Sequence, residues 1–97
     1  MRPLLLAVPL LLAGGAVALA QSRQHHVNLD RQCEEVHGPS ARALLLDPRD
    51  SYTWRCALAD GQRVEISIDD ACRRQYGDGW RARMLERRDP SSWRCVR

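Results

Sequence analysis

The sequence predicts a small disulfide-stabilised α+β domain: two strand-helix-strand-strand repeats, an antiparallel sheet with two short helices on one face, and approximate two-fold symmetry. Three observations carry this. Slid along itself by 39 residues without a gap, the chain places Cys33 on Cys72 (72 minus 33), Trp54 on Trp93 and Cys56 on Cys95. The same frame aligns Asp30 with Asp69, Gly38 with Gly77, Arg42 with Arg81, Ala43 with Ala82, Asp50 with Asp89 and Arg55 with Arg94. Self-similarity at one fixed period marks a duplicated structural unit. Within each copy the apolar residues recur first at helical spacing and then, past the glycine, at every second position. Finally, the chain holds 4 cysteines, an even number that suits a small stapled domain.

Taken in order, residues 1–20 read MRPLLLAVPLLLAGGAVALA, with one charge at Arg2, an apolar run and small residues at Ala18 and Ala20, the pattern of a secretory signal peptide. Pro9, the paired glycines and the polar QSRQHH that follows weigh against a membrane-spanning anchor, so no anchor is expected after cleavage. The localisation implied is secreted or periplasmic. Cleavage after Ala20 leaves 77 residues (97 minus 20), one small domain with little core of its own. Residues 21–27 are expected to form a polar N-terminal segment and residues 28–97 the tandem domain, with repeat one at 28–58, a linking hairpin at 59–66 and repeat two at 67–97.

Asn28 and Ser67 are N-cap residues, each before an acidic first turn, and Gly38 and Gly77 stand where a helix should stop. Between them Leu29, Cys33 and Val36, and in the second copy Ile68, Cys72 and Tyr76, mark an inward stripe. Ala41, Ala43 and Leu45 then alternate with Arg42 and Leu44, and Trp80, Ala82 and Met84 alternate with Arg81 and Arg83. The breaks DPRDSYT and RRDPSS turn the chain into a second strand, WRCAL or WRCVR. There Trp and Cys face one way and the arginine the other. Asp60-Gly61 is a two-residue hairpin signal leading into the alternating RVEIS. Val27 matches Ile66 in the 39-residue frame (66 minus 27), so a short strand precedes each helix.

In an oxidising compartment the cysteines are expected as disulfides, not as a zinc site, for no C-x2-C pair is present. Pairing within each copy, Cys33 with Cys56 and Cys72 with Cys95, closes two equal loops. Cys33 with Cys95 and Cys56 with Cys72 is the alternative if the helices exchange between copies. The absence of a CxxC motif argues against thiol oxidoreductase chemistry. No catalytic residue, metal set or cofactor is assigned. His25 and His26 lie in the polar segment without further ligands, His37 is a C-terminal helix cation, and Glu34, Glu35, Asp69 and Asp70 are expected on exposed helix positions.

The formal charge is +3, or about +2 without Arg2, too mild to imply nucleic acid as a partner. All 15 basic residues are arginine. Arg42, Arg55, Arg63, Arg81, Arg83 and Arg94 each fall out of phase with the inward residues of their strands. They are therefore the candidate ligand-binding residues, a guanidinium face broken mainly by Glu65 that could grip carboxylate, sulfate or phosphate. The partners implied are an anionic polysaccharide, an envelope component or an extracellular protein.

A capped helix holding one Cys, then a strand, then Asp-x-x-x-Trp-x-Cys resembles a tandem Cys/Trp repeat module of secreted bacterial proteins. Asp30, Cys33, Gly38, Asp50, Trp54 and Cys56 carry it once, and Asp69, Cys72, Gly77, Asp89, Trp93 and Cys95 again. The resemblance implies export, disulfides and duplication, and transfers no activity. The function expected is that of an exported, non-enzymatic binding or interaction module. The alternative is a small secreted effector such as an inhibitor of an extracellular enzyme or a toxin.

Overall fold

The computed structural model describes residues 24–97; the expected signal peptide lies outside the described residues. The elements run β1 (Gln24–His26), α1 (Leu29–His37), β2 (Arg42–Leu45), β3 (Trp54–Ala57), β4 (Arg63–Glu65), α2 (Ile68–Tyr76), β5 (Arg81–Met84), a 3-10 turn (Pro90–Ser92) and β6 (Trp93–Val96). Each strand and α-helix of the first half has its counterpart 39 residues on, as from Leu29 to Ile68 (68 minus 29). No helix among the described residues is long and apolar enough to cross a membrane.

Both helices begin and end as their sequences dictate. The Asn28 side chain accepts from Arg31 N–H at 2.9 Å and the Ser67 hydroxyl from Asp70 N–H at 3.1 Å, each satisfying an orphan donor of the first turn. Gly38 and Gly77 stop the helices at φ 107° and 109° with ψ 167° and 174°, a region that essentially only glycine enters. Their N–H groups close back on the carbonyls of Glu34 and Arg73. The duplicated aspartates then tie helix to sheet: Ala43 N–H donates to Asp30 Oδ1 at 2.8 Å and Ala82 N–H to Asp69 Oδ1 at 2.7 Å. Both acceptors occupy N–H groups on edge strands, which would otherwise present unpaired donors.

The antiparallel strands divide into two three-stranded sheets, ordered β2-β3-β4 and β1-β6-β5. The strand preceding each helix therefore joins the sheet of the other half. β4 follows β3 directly and pairs with it as a hairpin, whereas β1 crosses to pair with β6 at the far end of the chain. The hairpin also differs from a two-residue turn. Leu58 N–H bonds to the Gln62 carbonyl, Gly61 N–H returns to Leu58, and Gly61 sits at φ 88°, so Ala59, Asp60 and Gly61 form a three-residue loop with glycine at the positive-φ position. The segment read as a polar tail contributes β1 through Gln24, His25 and His26.

Each α-helix packs on its own sheet, α1 on β2 and β3, α2 on β5 and β6, and the two helices touch. Disulfides Cys33–Cys56 and Cys72–Cys95 join each helix to the central strand of that sheet. All four cysteines are 0–1% exposed and are, with Ser51, the largest fully buried side chains. The cystines are thus the centre of the core, with Leu29, Ala41, Ile68 and Ala71 also buried on the helix side, while the buried Val96 lies on the other face of β6, between Arg81 and Gln24. Val36, expected in the inward stripe, is 45% exposed: a nine-residue helix resting on a three-stranded sheet covers only part of its apolar side. Tyr76 is 39% exposed yet engages the end of β1, as described below.

Candidate functional site

The Trp-Arg-Cys endings of the two halves make the same contacts. Trp54 Nε1 donates to the Pro90 carbonyl at 2.9 Å, and Trp93 Nε1 donates to the Ser51 carbonyl at 2.8 Å. Because Ser51 and Pro90 are themselves 39 apart (90 minus 51), the two bonds are reciprocal and each indole stitches its half to the other. The loops feeding these strands are pinned in parallel ways. The Thr53 hydroxyl donates to the Asp47 carbonyl and accepts from its N–H, and the Ser92 hydroxyl does the same with Glu86. Ser51 adds an unduplicated link, its N–H and hydroxyl both donating to the Arg87 carbonyl at 2.9 and 2.6 Å. The counterpart of Ser51 is Pro90, which has no N–H to offer.

The arginines between Trp and Cys are part of this framework. Arg55 Nη1 donates to the carbonyls of Tyr52 and Trp54 at 3.1 and 2.8 Å, and Arg94 Nη1 to those of Ser91 and Trp93, both at 2.9 Å. Both side chains are half-buried. The remaining candidates divide between the sheets: Arg42 and Arg63 share the outward face of β2-β3-β4 with Arg55, and Arg81 and Arg83 that of β1-β6-β5 with Arg94. The register places Arg42 and Arg63 on either side of Ala57, and Arg83 directly beside Arg94. Ion pairs among the described residues are Arg31–Glu35, Arg55–Glu65, Arg73–Asp70 and Arg74–Asp70. Five of the six candidates make none.

Two grooves flank the Trp pair. The larger, of about 760 Å³, lies between the start of α1 and the 3-10 turn, with Asn28, Asp30, Trp54, Pro90 and Trp93 on its walls. The smaller, of about 480 Å³, has the matching wall residues Ser67, Asp69, Trp93, Ser51 and Trp54. Their likeness follows from the 39-residue frame; Gln75 and Tyr76 line the first alone and Arg55 the second alone, and His26 in the first stands where the second has Glu65.

Two further clusters are absent from the sequence pattern. His25, Tyr76 and Trp80 form an aromatic group, His25 stacked on Tyr76 at 4.8 Å and Trp80 within 5.2 Å of both. Tyr76 Oη donates to the His26 carbonyl at 2.6 Å, and Gln75 takes both backbone groups of Asn28, at 2.9 and 2.7 Å. These contacts fasten β1 to the second half. Between the helices Gln32 Nε2 donates to Asp70 Oδ2 at 2.8 Å, and Arg74 Nε donates to the same oxygen at 2.7 Å. The Arg74 bond, then that from Gln32, holds the Asp70 carboxyl below its ordinary value. Gln32 Oε1 is buried without a hydrogen-bond partner among the described residues. Among the described residues no three His, Cys, Asp or Glu side chains are grouped to hold a metal ion.

Set against known protein families, curated proteins and solved structures, the chain matches none of them.

Proposed function

We propose that this protein is an exported, non-enzymatic binding module that grips an anionic ligand, a polysaccharide of the envelope or medium, with its outward arginines. The observation that carries the reading is the distribution of charge over the two sheets. Arg42 and Arg63 on one, and Arg81 and Arg83 on the other, project from short strands on the faces opposite the helices and make no ion pair among the described residues. Guanidinium groups left without protein carboxylates are free to bind carboxylate or sulfate oxygens in pairs. Buried cystines suit an oxidising destination, as does the leader expected at residues 1–20.

The test is retention of the oxidised protein on immobilised acidic polysaccharides, with a neutral dextran matrix as control. Retention should weaken as salt rises and should fall when Arg42, Arg63, Arg81 and Arg83 are replaced by Gln. Arg55 and Arg94 are unsuitable for this, because they hold loop carbonyls. Equal retention on the neutral matrix would remove the basis of the proposal. The second reading, an inhibitor or toxin that docks on one protein, is favoured by the paired Trp-walled grooves. It calls instead for a single partner in a pull-down and no retention on glycans.

A further inference from the structure

We propose, resting on the binding-module reading above, that Arg83, Arg94 and His26 form a carboxylate-binding row on the outward face of the second sheet, and that its ligand is a linear acidic polysaccharide. The two halves of the protein provide the comparison. In the first sheet Leu44, Arg55 and Glu65 stand side by side across β2, β3 and β4. In the second, Arg83, Arg94 and His26 stand side by side across β5, β6 and β1. Each pair of counterparts is 39 apart (83 minus 44, 94 minus 55, 65 minus 26).

The central arginines are held alike, Nη1 of each on two loop carbonyls. That leaves the rest of the guanidinium to face the neighbouring strand. In the first half it meets a carboxylate, with Arg55 Nε 3.6 Å from Glu65 Oε1. In the second half the corresponding neighbour is His26, and on the other side Arg83 replaces Leu44. Arg94 Nε and Nη2 donate to nothing among the described residues. Asp89, the nearby acidic side chain of the preceding loop, is held by Ser91 N–H at 3.0 Å and Ser91 Oγ at 2.6 Å; it lies beyond ion-pair distance of Arg94 and feels that guanidinium only as a weaker, longer-range attraction. A row neutralised in one half by its own carboxylate is thus, in the other, a guanidinium pair beside an imidazole.

Like charges directly opposite on neighbouring strands destabilise a sheet, so Arg83 beside Arg94 is a cost that an external anion would relieve. Glu65 shows which anion the position accepts, a carboxylate. Neighbouring strands lie about 4.8 Å apart, so the three side chains span roughly 10 Å in a line across the sheet. A polymer carrying one carboxylate per sugar can meet such a line in series, where a single small anion would use only part of it.

The probe is polygalacturonate, with dextran sulfate, a single-stranded oligonucleotide and neutral dextran alongside, and the binder is the oxidised protein. The decisive variant is Arg83→Leu with His26→Glu, which installs the residues the first half already carries at those places. Binding to polygalacturonate should fall about tenfold or more, the scale of losing charge-assisted hydrogen bonds. The reverse exchange, Leu44→Arg with Glu65→His, should add a second equivalent of binding and supports the row even if the first variant folds poorly. Unchanged binding in the first variant, with the wild type still retained by acidic polysaccharide, overturns the row and leaves the binding-module reading standing. Wild-type protein that binds no polyanion overturns both. Binding to dextran sulfate alone, or to the oligonucleotide alone, overturns the carboxylate assignment.

Discussion

Replacing Cys33 and Cys56 together by serine should remove a large share of the protein's stability, and replacing Cys72 and Cys95 should remove the same amount. Each disulfide spans a sequence separation of 23, for which the chain-entropy relation gives about 3.4 kcal/mol at 25 °C. The described domain has 74 residues (97 minus 23), and marginal stability at 0.05–0.15 kcal/mol per residue puts its total near 4–11 kcal/mol. One bridge is therefore about three-tenths or more of the whole, and removal of both, about 7 kcal/mol, takes away most or all of it. The cysteines being 0–1% exposed, the serine hydroxyls would also be buried in an apolar site, so 3.4 kcal/mol is a lower figure. Urea unfolding followed by fluorescence of Trp54, Trp80 and Trp93 measures both losses. A loss below about 1.5 kcal/mol for either pair would refute the view that cystines replace a conventional core. A difference above about 2 kcal/mol between the pairs would refute the equal-loop reasoning.

Gly38→Ala and Gly77→Ala should each cost roughly 1–3 kcal/mol. An added Cβ meets nothing within 4 Å at either site, so the penalty is backbone strain alone, and a melting temperature unchanged in both variants would contradict it. Trp54→Phe and Trp93→Phe keep an aromatic ring but lose the pyrrole half of the indole, and with it the donor to Pro90 or Ser51. Each should cost about 1–2 kcal/mol, and a thermodynamic cycle with the double variant measures whether the two reciprocal bonds are coupled. For Asp70 the fold holds the carboxyl below its ordinary value of 3.8, so the unfolded chain takes up the proton first. Its contribution is complete above that value and fades as pH falls through and below it. Asp70→Asn should flatten the fall in stability as pH drops below about 4, read from urea midpoints.

Local and duplicated features were legible in the sequence because their causes are local. Asn28 and Ser67 cap, Gly38 and Gly77 stop, and the equal Cys spacing within each half favours the pairing that forms, although only the structure removes the crossed alternative. What was hidden depends on how the two halves meet. Alternation showed that Arg55 and Arg94 turn away from the cystines, but not that their Nη1 atoms would be taken by carbonyls of the loop just before them. Trp54 and Trp93 are expected to face the same way as the cysteines, and each lies half-buried. Their donation to Pro90 and Ser51 joins opposite halves and has no signature within either one. His25 reads as tail because β1 has three residues and pairs with β6, a partner about seventy positions away, as from His25 to Cys95.

That long pairing explains where the duplication was allowed to lapse. β4 needs no special fastening, for a tight loop delivers it to β3. β1 arrives from the opposite end of the chain, and closing so long a loop costs more entropy than closing a hairpin. The residues that hold β1 are those in which the second half departs from the first: Tyr76 where the first half has His37, Trp80 where it has Ala41, and Gln75 where it has Val36. His25 itself stands where β4 has Val64. Tyr76→Phe would delete the bond to the His26 carbonyl while keeping the stack, and Gln75→Val would restore the first half's residue and remove both hydrogen bonds from Gln75 to the Asn28 backbone, leaving the Asn28 carbonyl only the bond from Gln32 N–H. Amide exchange in β1 should then rise by about fivefold for each hydrogen bond lost at roughly 1 kcal/mol, with β4 unaffected. Equal acceleration in β1 and β4 would mean that the two halves unfold as one and that these contacts are not local fasteners. The same strand carries His26 to the side of Arg94. Loosening it should weaken polygalacturonate binding even though neither Tyr76 nor Gln75 belongs to the row.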